Sequence, residues 1–272
     1  MAMDRLMVGA VVYDPKVVPI WEGIREYFTD APVGMDFVLF SDYEAQVEAL
    51  LGGRIDVAWN TNLAYVRTSL ATGGDCRALA MRDTDVAFFT TLIGRTNELV
   101  SADDLKGKRL ALGSADSAQA AIMPVHYLTH EGLDLGGDVE LVRFDSDVGK
   151  HGDTGRSERD ALAAVIGGRA DAAAIGLASW DVFVRSGDVP PRRLQPFWTS
   201  PAYSHCNFTA LPTLDLELSD GWVSHLRAMS WDIPEHRRIL ELEGLREWVA
   251  PELDGYRDVF EAVHEQGIAA RW

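Results

Sequence analysis

Cysteine, basic charge and long apolar runs are all scarce in this 272-residue sequence. Its two cysteines, Cys76 and Cys206, are too few for a disulfide framework and lack zinc-type spacing, so we expect free thiols, no metal site and no cofactor. Nothing approaches the roughly 20 apolar residues of a membrane-spanning helix, so no membrane insertion is expected. The 25 basic residues are outnumbered by 42 acidic ones, and the net charge of -17 argues against nucleic acid as a partner.

A secretory leader is also not recognisable. The apolar residues 6–12 form a short run flanked by Asp4 and Asp14. A leader has a basic start, an apolar run of roughly 7–15 residues and a small-residue cleavage site. The sequence as it stands therefore predicts a cytoplasmic protein, or a periplasmic or cell-surface protein if a leader has been removed.

An internal repeat is the most informative feature that is present. The segment Leu50-Leu51-Gly52-Gly53-Arg54-Ile55-Asp56-Val57-Ala58 recurs as Val165-Ile166-Gly167-Gly168-Arg169-Ala170-Asp171-Ala172-Ala173. Each copy follows a helical stretch, and the paired glycines predict a helix C-cap followed at once by a buried strand. The repeat indicates two similar halves.

Strands and amphipathic helices alternate around each copy. In the first half we predict strands over 6–12, 36–40 and 56–59, with helices over 17–28 and 43–50. In the second half we predict strands over 109–112, 140–144 and 171–175, with helices over 117–131 and 157–165. This order is typical of βαβ units with parallel sheets, so the fold class is α/β with two lobes.

Two extended segments are predicted to connect the lobes. Residues 86–95 have the β-branched and aromatic composition of a strand that crosses to the second lobe, and residues 203–211 that of the return. We expect residues 1–90 in lobe one, residues 91–203 in lobe two, and residues 204–272 as the return crossing and a helical tail that completes lobe one. Two such strand crossings form a hinge beside a central cleft.

With this organisation, the sequence resembles the type II periplasmic-binding-protein superfamily, and within it the phosphate/phosphonate-type substrate-binding proteins of ABC transporters. The likeness rests on the two lobes, the two crossings and the phrase Asp104-Leu105-Lys106-Gly107-Lys108 before a predicted strand. It implies a small anionic ligand and, if the protein is exported, an ABC permease as partner. The superfamily also contains cytoplasmic enzymes, so the fold alone leaves the function open.

Candidate ligand-binding residues follow from the rule that ligands of open α/β sheets lie beyond the carboxyl ends of the strands. Tyr13 and Asp14 follow the first strand, and the alternative for Asp14 is to cap the next helix. Trp59, Asn60 and Thr61 end the repeat strand. Their alternative is an indole in the core and a capped helix start.

The second lobe offers a serine-containing turn at the same kind of position. Ser114, Asp116 and Ser117 lie between a strand and a helix that carries Gln119. Hydroxyl groups and the N–H groups of a helix start suit a carboxylate or phosphate group. Plain helix capping is the alternative.

A glycine-bracketed loop carries the next candidates, Lys150 and His151, with Asp153 nearby. Lys150 can neutralise a ligand anion, and His151 can move a proton near neutral pH. The alternative is an exposed loop without a ligand role.

The return crossing supplies Tyr203 as a further ligand candidate, followed by His205 and Cys206. Adjacent strand residues point to opposite faces, so we expect no pairing between His205 and Cys206. A thiol–imidazole pair of Cys206 with His151 is one interpretation, and a small buried cysteine is the other. Surface or helix-packing roles are expected for the remaining histidines, His126, His130, His225, His236 and His264.

Two functions remain open on the sequence alone. The first is binding of a small anion (a phosphonate, phosphate or carboxylate) in the interlobe cleft. The alternative is a cytoplasmic lyase-type enzyme that acts on a small carboxylate by proton transfer, elimination or decarboxylation. Its catalytic residues would be His151, Lys150, Cys206 and His205.

Overall fold

The computed structural model describes residues 4–190 and 192–271. The strands in chain order are β1 Arg5–Val11, β2 Gly34–Phe40, β3 Val57–Asn60, β4 Arg77–Arg82, β5 Thr90–Arg95, β6 Arg109–Leu112, β7 Glu140–Arg143, β8 Ala172–Gly176, β9 Leu194–Thr199, β10 Asn207–Ala210 and β11 Trp248–Val249. The helices are α1 Val17–Tyr27, α2 Tyr43–Leu51, α3 Asn62–Ala71, α4 Met123–His130, α5 Arg156–Ile166, α6 Leu177–Ser186, α7 Leu216–Arg227, α8 Pro234–Glu243 and α9 Arg257–Glu265. A π-helical turn, Ala118–Ile122, leads directly into α4.

These elements form two compact units. Unit 1 contains the residues up to Ala87 together with Ser204–Tyr256. Unit 2 contains Phe88–Tyr203 together with the residues from Arg257 onward. The chain therefore passes between the units near residues 87, 203 and 256, one passage more than the sequence indicates.

The third passage corrects the predicted place of the tail. The sequence assigns all of residues 204–272 to the first lobe, but α9 belongs to unit 2. There Tyr127 of α4 donates a hydrogen bond to Asp258 at 2.8 Å, and Gln266 donates to the Ile122 carbonyl at 2.8 Å. A helical pattern shows which face of α9 is apolar, but it does not show which unit covers that face.

Each unit is built on one mixed sheet. The strand order is β11-β4-β10-β3-β1-β2 in unit 1 and β7-β6-β8-β5-β9 in unit 2. The βαβ strands pair in parallel, but β10 runs antiparallel to β3 and β4, and β5 runs antiparallel to β8 and β9. The parallel pairing predicted for the βαβ strands is confirmed, and the crossing strands β5 and β10, whose direction the sequence did not indicate, make the two sheets mixed.

The sequence repeat is also a repeat of hydrogen bonds. After α2, Gly53 takes a left-handed φ of 65° and the Arg54 N–H donates to the Ala49 carbonyl at 2.9 Å. After α5, Gly168 takes a φ of 74°, and Arg169 makes the same bond to Ala164 at 2.8 Å. Glycine adopts this backbone without the steric cost that a Cβ adds, which explains its place in both copies.

The aspartate of the repeat ties each new strand to its neighbour. Asp56 accepts from the Met7 N–H in β1 at 2.7 Å. Asp171 accepts from the Arg109 N–H in β6 at 2.9 Å and from the Arg109 guanidinium at 3.0 and 3.1 Å. The Arg109 hydrogen bonds lower the pKa of Asp171. The aspartate shared by the two copies of the repeat thus helps to fix the strand register in both sheets.

Apolar side chains fill both faces of each sheet. In unit 1 the fully buried Trp222 stacks on Phe28 at 5.4 Å and meets Phe208 edge-on at 5.0 Å. In unit 2 the successive residues Leu92 and Ile93 of β5 are buried in separate clusters on opposite faces. Burial of each such side chain contributes about 1.5–3 kcal/mol to the free energy of unfolding. The sheet ends that carry polar residues are therefore supported by packed cores.

Within residues 4–190 and 192–271, no helix combines the length and apolar character that crossing a membrane requires.

Candidate functional site

Unit 2 collects buried polar side chains just beyond the carboxyl end of β6. Ser114 is fully buried, and its hydroxyl donates a hydrogen bond to the Asp147 carboxylate. Ser117 is fully buried too, and its hydroxyl accepts from the Ala120 N–H at 3.3 Å. The Ser117 N–H closes the turn by donating to the Ser114 carbonyl at 2.8 Å. Ser117 therefore caps the helical stretch, while Ser114 is held by the loop that contains Asp147.

That loop, between β7 and α5, lies against the serine turn. A Cβ added at Gly152 would overlap the Ser117 hydroxyl and stand 2.6 Å from Gln119 Nε2, so a larger residue would push the two segments apart. His151 is only 3% exposed and takes a left-handed φ of 51°, and Lys150 is half-buried. Such backbone strain outside glycine is uncommon and is found most often at functional sites. The centre of the loop is thus buried, in contrast to the exposed loop that the sequence left as an alternative.

Two buried polar atoms here have no hydrogen-bond partner among the described residues. They are Gln119 Oε1 and Ser157 Oγ. Ser157 is fully buried in the first turn of α5, and a Cβ added at Gly113 would stand 2.9 Å from its hydroxyl. We refer to Ser114, Ser117, Gln119 and Ser157 as the serine cluster. Buried polar groups are almost always paired, so these two groups are available to a ligand or to water.

Glu158, the neighbour of Ser157, adds a titrating group. Its carboxyl is fully buried, and it accepts from the Gly176 N–H at 2.7 Å and from the Ser179 hydroxyl at 2.9 Å. Burial raises the pKa of Glu158 to about 7, with the Asp147 charge acting in the same direction against the two hydrogen bonds. Near neutral pH this carboxyl is divided between its acid and its anion.

Two further carboxylates border the serine cluster. Asp147 accepts from the hydroxyls of Ser114 and Thr154, and it is almost fully buried. Asp116 accepts from the Gly149 N–H at 2.5 Å, which fastens the serine turn to the loop. A carboxylate accepts hydrogen bonds and repels negative charge. These two residues therefore favour a ligand group that can donate a hydrogen bond over one that is fully ionised.

In unit 1 the predicted residues Tyr13 and Asp14 follow β1. Tyr13 is half-buried, with the Lys16 ammonium 5.6 Å from its ring centre. Asp14 is exposed and accepts from the Lys16 N–H at 2.9 Å, close to the first residue of α1. This bond lies before the helix, and α1 has Lys16 at its N-cap without a side-chain cap, so Asp14 does not take the capping role. Ligand contacts of Tyr13 and Asp14 remain predictions.

The residues at the end of β3 take the core and capping roles that the sequence left as alternatives. Trp59 is 6% exposed, and its ring lies 4.6 Å from that of Phe208. Asn60 is fully buried and accepts from the Gln46 side chain at 2.9 Å. Thr61 caps α3 through its hydroxyl.

Tyr203 is buried in unit 2. Its backbone pairs with Phe88 in both directions, at 2.8 and 3.0 Å. Its hydroxyl lies 3.0 Å from Thr90 Oγ1. Burial raises the pKa of Tyr203 above its ordinary value, so the side chain is a neutral phenol at physiological pH.

His205 and Cys206 contradict the prediction that they point apart. Cys206 Sγ lies 3.0 Å from His205 Nδ1, and both side chains are 3% exposed. The strand begins only at Asn207, so the alternation of a strand does not apply to these residues. His205 Nδ1 also lies 3.3 Å from the fully buried Asp85.

Arg82 neutralises the acid of this group. It contacts Asp85 through two guanidinium nitrogens, at 2.5 and 3.0 Å. Burial alone would raise the pKa of Asp85, but the Arg82 charge and the hydrogen bonds from His205 and Arg82 outweigh burial and lower it. The four residues proposed for the enzyme are thus divided, with His205 and Cys206 in unit 1 and Lys150 and His151 in unit 2.

The strand-end rule selected the loop 147–154 from the sequence, but only Lys150 and His151 in it were named as ligand candidates, so the roles of Asp147 and Thr154 were missed. Ser157, which begins the predicted helix after that loop, was missed altogether. Glu158 had no sequence signal, because only the fold shows that its helix position is buried.

Comparison with known proteins agrees with the two-unit architecture. The family described as "ABC transporter, phosphonate, periplasmic substrate-binding protein" matches residues 12–256. A relative from Prochlorococcus marinus (strain MIT 9301), named a probable ABC transporter phosphite binding protein PhnD1, is 24% identical over 248 residues, which is 87% of this chain and 80% of the relative.

Solved structures show the same fold at low sequence identity. The structure of PhnD1 from Prochlorococcus marinus in complex with methylphosphonate has a TM-score of 0.75 and 20% identity, covering 97% of this chain and 98% of that one. The periplasmic aliphatic sulphonate binding protein SsuA from Escherichia coli has a TM-score of 0.66 and 14% identity, covering 98% and 94%. The predicted fold class is confirmed, and the extent of the family match shows that this chain belongs to the family of phosphonate-type periplasmic substrate-binding proteins of ABC transporters.

Proposed function

We propose that this chain binds a small phosphonate-class oxyanion through the serine cluster of unit 2. The observation that carries the proposal is the pair of buried, unpartnered polar groups, Gln119 Oε1 and Ser157 Oγ, beside two buried serine hydroxyls. Leaving such groups unsatisfied costs about 1–3 kcal/mol each. The Ser157 hydroxyl can donate to an anionic oxygen, whereas Gln119 Oε1 accepts and is satisfied by a protonated P–OH group of the ligand. No nucleophile–base pair is part of this cluster, so the geometry supports binding over catalysis.

The elements around the serine cluster suit an oxyanion. The first N–H groups of a helical stretch have no partner within it, and the stretch that starts at Ala118 begins here. The first turn of α5 contributes Ser157, whose hydroxyl would stand 2.9 Å from a Cβ added at Gly113, the residue before the serine turn. Two helix starts and several hydroxyls stabilise negative charge without needing a positive net charge on the protein. Lys150 and His151, on the adjoining loop, are proposed to add cationic and proton-donating groups.

The bordering carboxylates favour an anion that still carries a proton. Asp147 and Asp116 offer only acceptors, so a P–OH group can donate to them. A methylphosphonate monoanion has that hydroxyl, whereas methanesulfonate, of nearly the same shape, has none near neutral pH. We therefore propose selectivity for phosphonate, phosphite or phosphate over sulfonate or sulfate. The family membership and the methylphosphonate complex of PhnD1 support this ligand class.

Delivery to an ABC permease is the physiological role that we propose for the binding. It rests on the family, whose members are described as periplasmic substrate-binding proteins of ABC transporters. This role implies that the protein works outside the cytoplasmic membrane. The cytoplasmic enzyme receives no separate support from the arrangement of its four candidate residues.

Calorimetric titration of the full chain tests the ligand class. We expect methylphosphonate to bind at least tenfold more tightly than methanesulfonate, with phosphite and inorganic phosphate as further titrants. A hydrogen bond to a charged group contributes about 1.5–3 kcal/mol, so Ser157→Ala and Gln119→Ala should each raise Kd about 10- to 100-fold.

Ser69→Ala is the matched control, because Ser69 is a buried helical serine of unit 1. It should leave Kd unchanged. Thermal melts of each variant separate lost binding from lost folding. Absence of heat with every anion, or full affinity in the Ser157→Ala and Gln119→Ala double variant, would end the proposal.

A further inference from the structure

A histidine pair on α4 faces a glutamate on α9, away from the serine cluster. His126 Nδ1 lies 2.8 Å from Glu265 Oε2, and His130 Nε2 lies 3.0 Å from Glu265 Oε1. The two imidazole centres are 4.3 Å apart, because residues four apart on a helix share one face. All three donor atoms lie within 4.8 Å of one another. They form a single convergent set within unit 2.

We propose that His126, His130 and Glu265 bind a divalent transition-metal cation, with zinc as the reference ion. Two imidazole nitrogens and one carboxylate oxygen are a common donor set for Zn²⁺, with bonds of about 2.0–2.2 Å. Donors at tetrahedral corners of such a site stand about 3.3 Å apart. The present nitrogen–oxygen distances of 2.8 and 3.0 Å involve different oxygens of the carboxylate. Binding through one oxygen therefore needs the exposed Glu265 carboxylate to rotate, with shifts of a few tenths of an ångström in these distances.

The burial of the three residues fits an open site. The His126 side chain is 2% exposed, whereas those of His130 and Glu265 are 50% and 43% exposed. His126 thus gives a fixed ligand, and the other two can adjust around an ion that reaches them from solvent. A fourth position remains for water, as in zinc sites with three protein ligands. Neutral imidazole and ionised carboxylate are the binding forms.

A bound ion would fasten α9 to α4. Besides the histidine contacts to Glu265, Tyr127 of α4 donates to Asp258 of α9 at 2.8 Å. Gln266, just after α9, donates to the carbonyl of Ile122, just before α4, at 2.8 Å. Coordination bonds from both helices to one ion would add to these contacts and strengthen the attachment of α9. The sequence expectation of no metal site rested on the absence of a recognised ligand spacing among the histidines, and only the fold brings Glu265 to His126 and His130.

Zinc titration of the untagged full chain, stripped with a chelator, tests the site. We expect one Zn²⁺ per chain by calorimetry and a rise in melting temperature on zinc addition. His130→Ala and Glu265→Gln should each weaken binding more than tenfold and remove the melting shift. Both residues are half-exposed, so neither change opens a core cavity. His264→Ala, an exposed histidine of α9, is the matched control and should bind as the wild type does.

Cobalt replacement distinguishes this site from the group that contains Cys206. Co²⁺ bound by nitrogen and oxygen gives visible ligand-field bands without a thiolate charge-transfer band. A thiolate band would place the ion at a cysteine, Cys76 or Cys206, and overturn the proposal. So would absence of zinc binding in the wild type, or wild-type affinity in both His130→Ala and Glu265→Gln.

Discussion

Replacement of Glu158 by glutamine is expected to remove a pH dependence from the stability of the protein. The buried carboxyl accepts from the Gly176 N–H at 2.7 Å and from the Ser179 hydroxyl at 2.9 Å. The glutamine carbonyl keeps the first bond. Its amide can donate to the serine oxygen, as the protonated acid does. The variant therefore keeps the shape and the hydrogen bonds of the neutral form and has no charge to gain.

The magnitude follows from the raised pKa. In the folded chain the pKa of Glu158 is about 7, against an ordinary value of 4.5. The folded state therefore holds the proton more tightly than the unfolded state does. The associated stability is complete below pH 4.5 and is lost as pH rises through 7. At about 1.4 kcal/mol for each pKa unit, the loss is about 3 kcal/mol.

Urea unfolding of wild type and Glu158→Gln at intervals from pH 4.5 to 8.5 measures this effect. The two free energies of unfolding should lie close together at pH 4.5. At pH 8 the variant should be the more stable protein by about 3 kcal/mol. Glu241→Gln, at an exposed position of α8, is the control and should follow the wild type throughout. A difference between wild type and Glu158→Gln that stays constant with pH would refute the reasoning.

Other expectations concern the repeat and the thiols. Gly168→Ala places a Cβ on a left-handed backbone and should lower the free energy of unfolding, measured in urea, by about 1–2 kcal/mol. Gly53→Ala should lower it by the same amount. An unchanged free energy of unfolding at either position would contradict the shared cap. The pKa of Asp171 is lowered by its Arg109 hydrogen bonds, so its contribution is present above about pH 4 and lost as pH falls further. Asp171→Asn should therefore be less stable than wild type at pH 7, with a gap that narrows in acid unfolding curves. Cys76 and Cys206 are buried thiols outside any disulfide, so a thiol reagent should modify them slowly in native protein and rapidly in urea. Fast native labelling of both would contradict their burial.

Local signals made much of the fold predictable. The repeat glycines end α2 and α5 at the expected places, and β6 was predicted with its observed bounds. These features depend on neighbours in sequence, where apolar spacing and cap chemistry act. Strand β9 was missed because it contains Pro196, which only an edge strand such as this one tolerates.

Predictions that needed distant partners were incomplete. Ser114, Ser117 and Gln119 were found from the strand-end rule, but Ser157 joins them only because α5 begins beside β6. The contact of His205 with Cys206 was missed because the return strand was predicted from residue 203, whereas β10 begins at Asn207, after both residues. The unit to which α9 belongs is likewise decided by packing, and no property of the helix alone selects it.

The position of β10 sets an order on how the two units are completed during synthesis. β10 lies between β3 and β4, so the sheet of unit 1 is divided until residues 207–210 have left the ribosome. The strands of unit 2 are all made by Thr199. Unit 1, which contains the N-terminal part of the chain, is therefore the unit whose sheet is completed last. Until then β3 and β4 present unpaired backbone edges to the cell, which makes the nascent first unit the stage most exposed to aggregation.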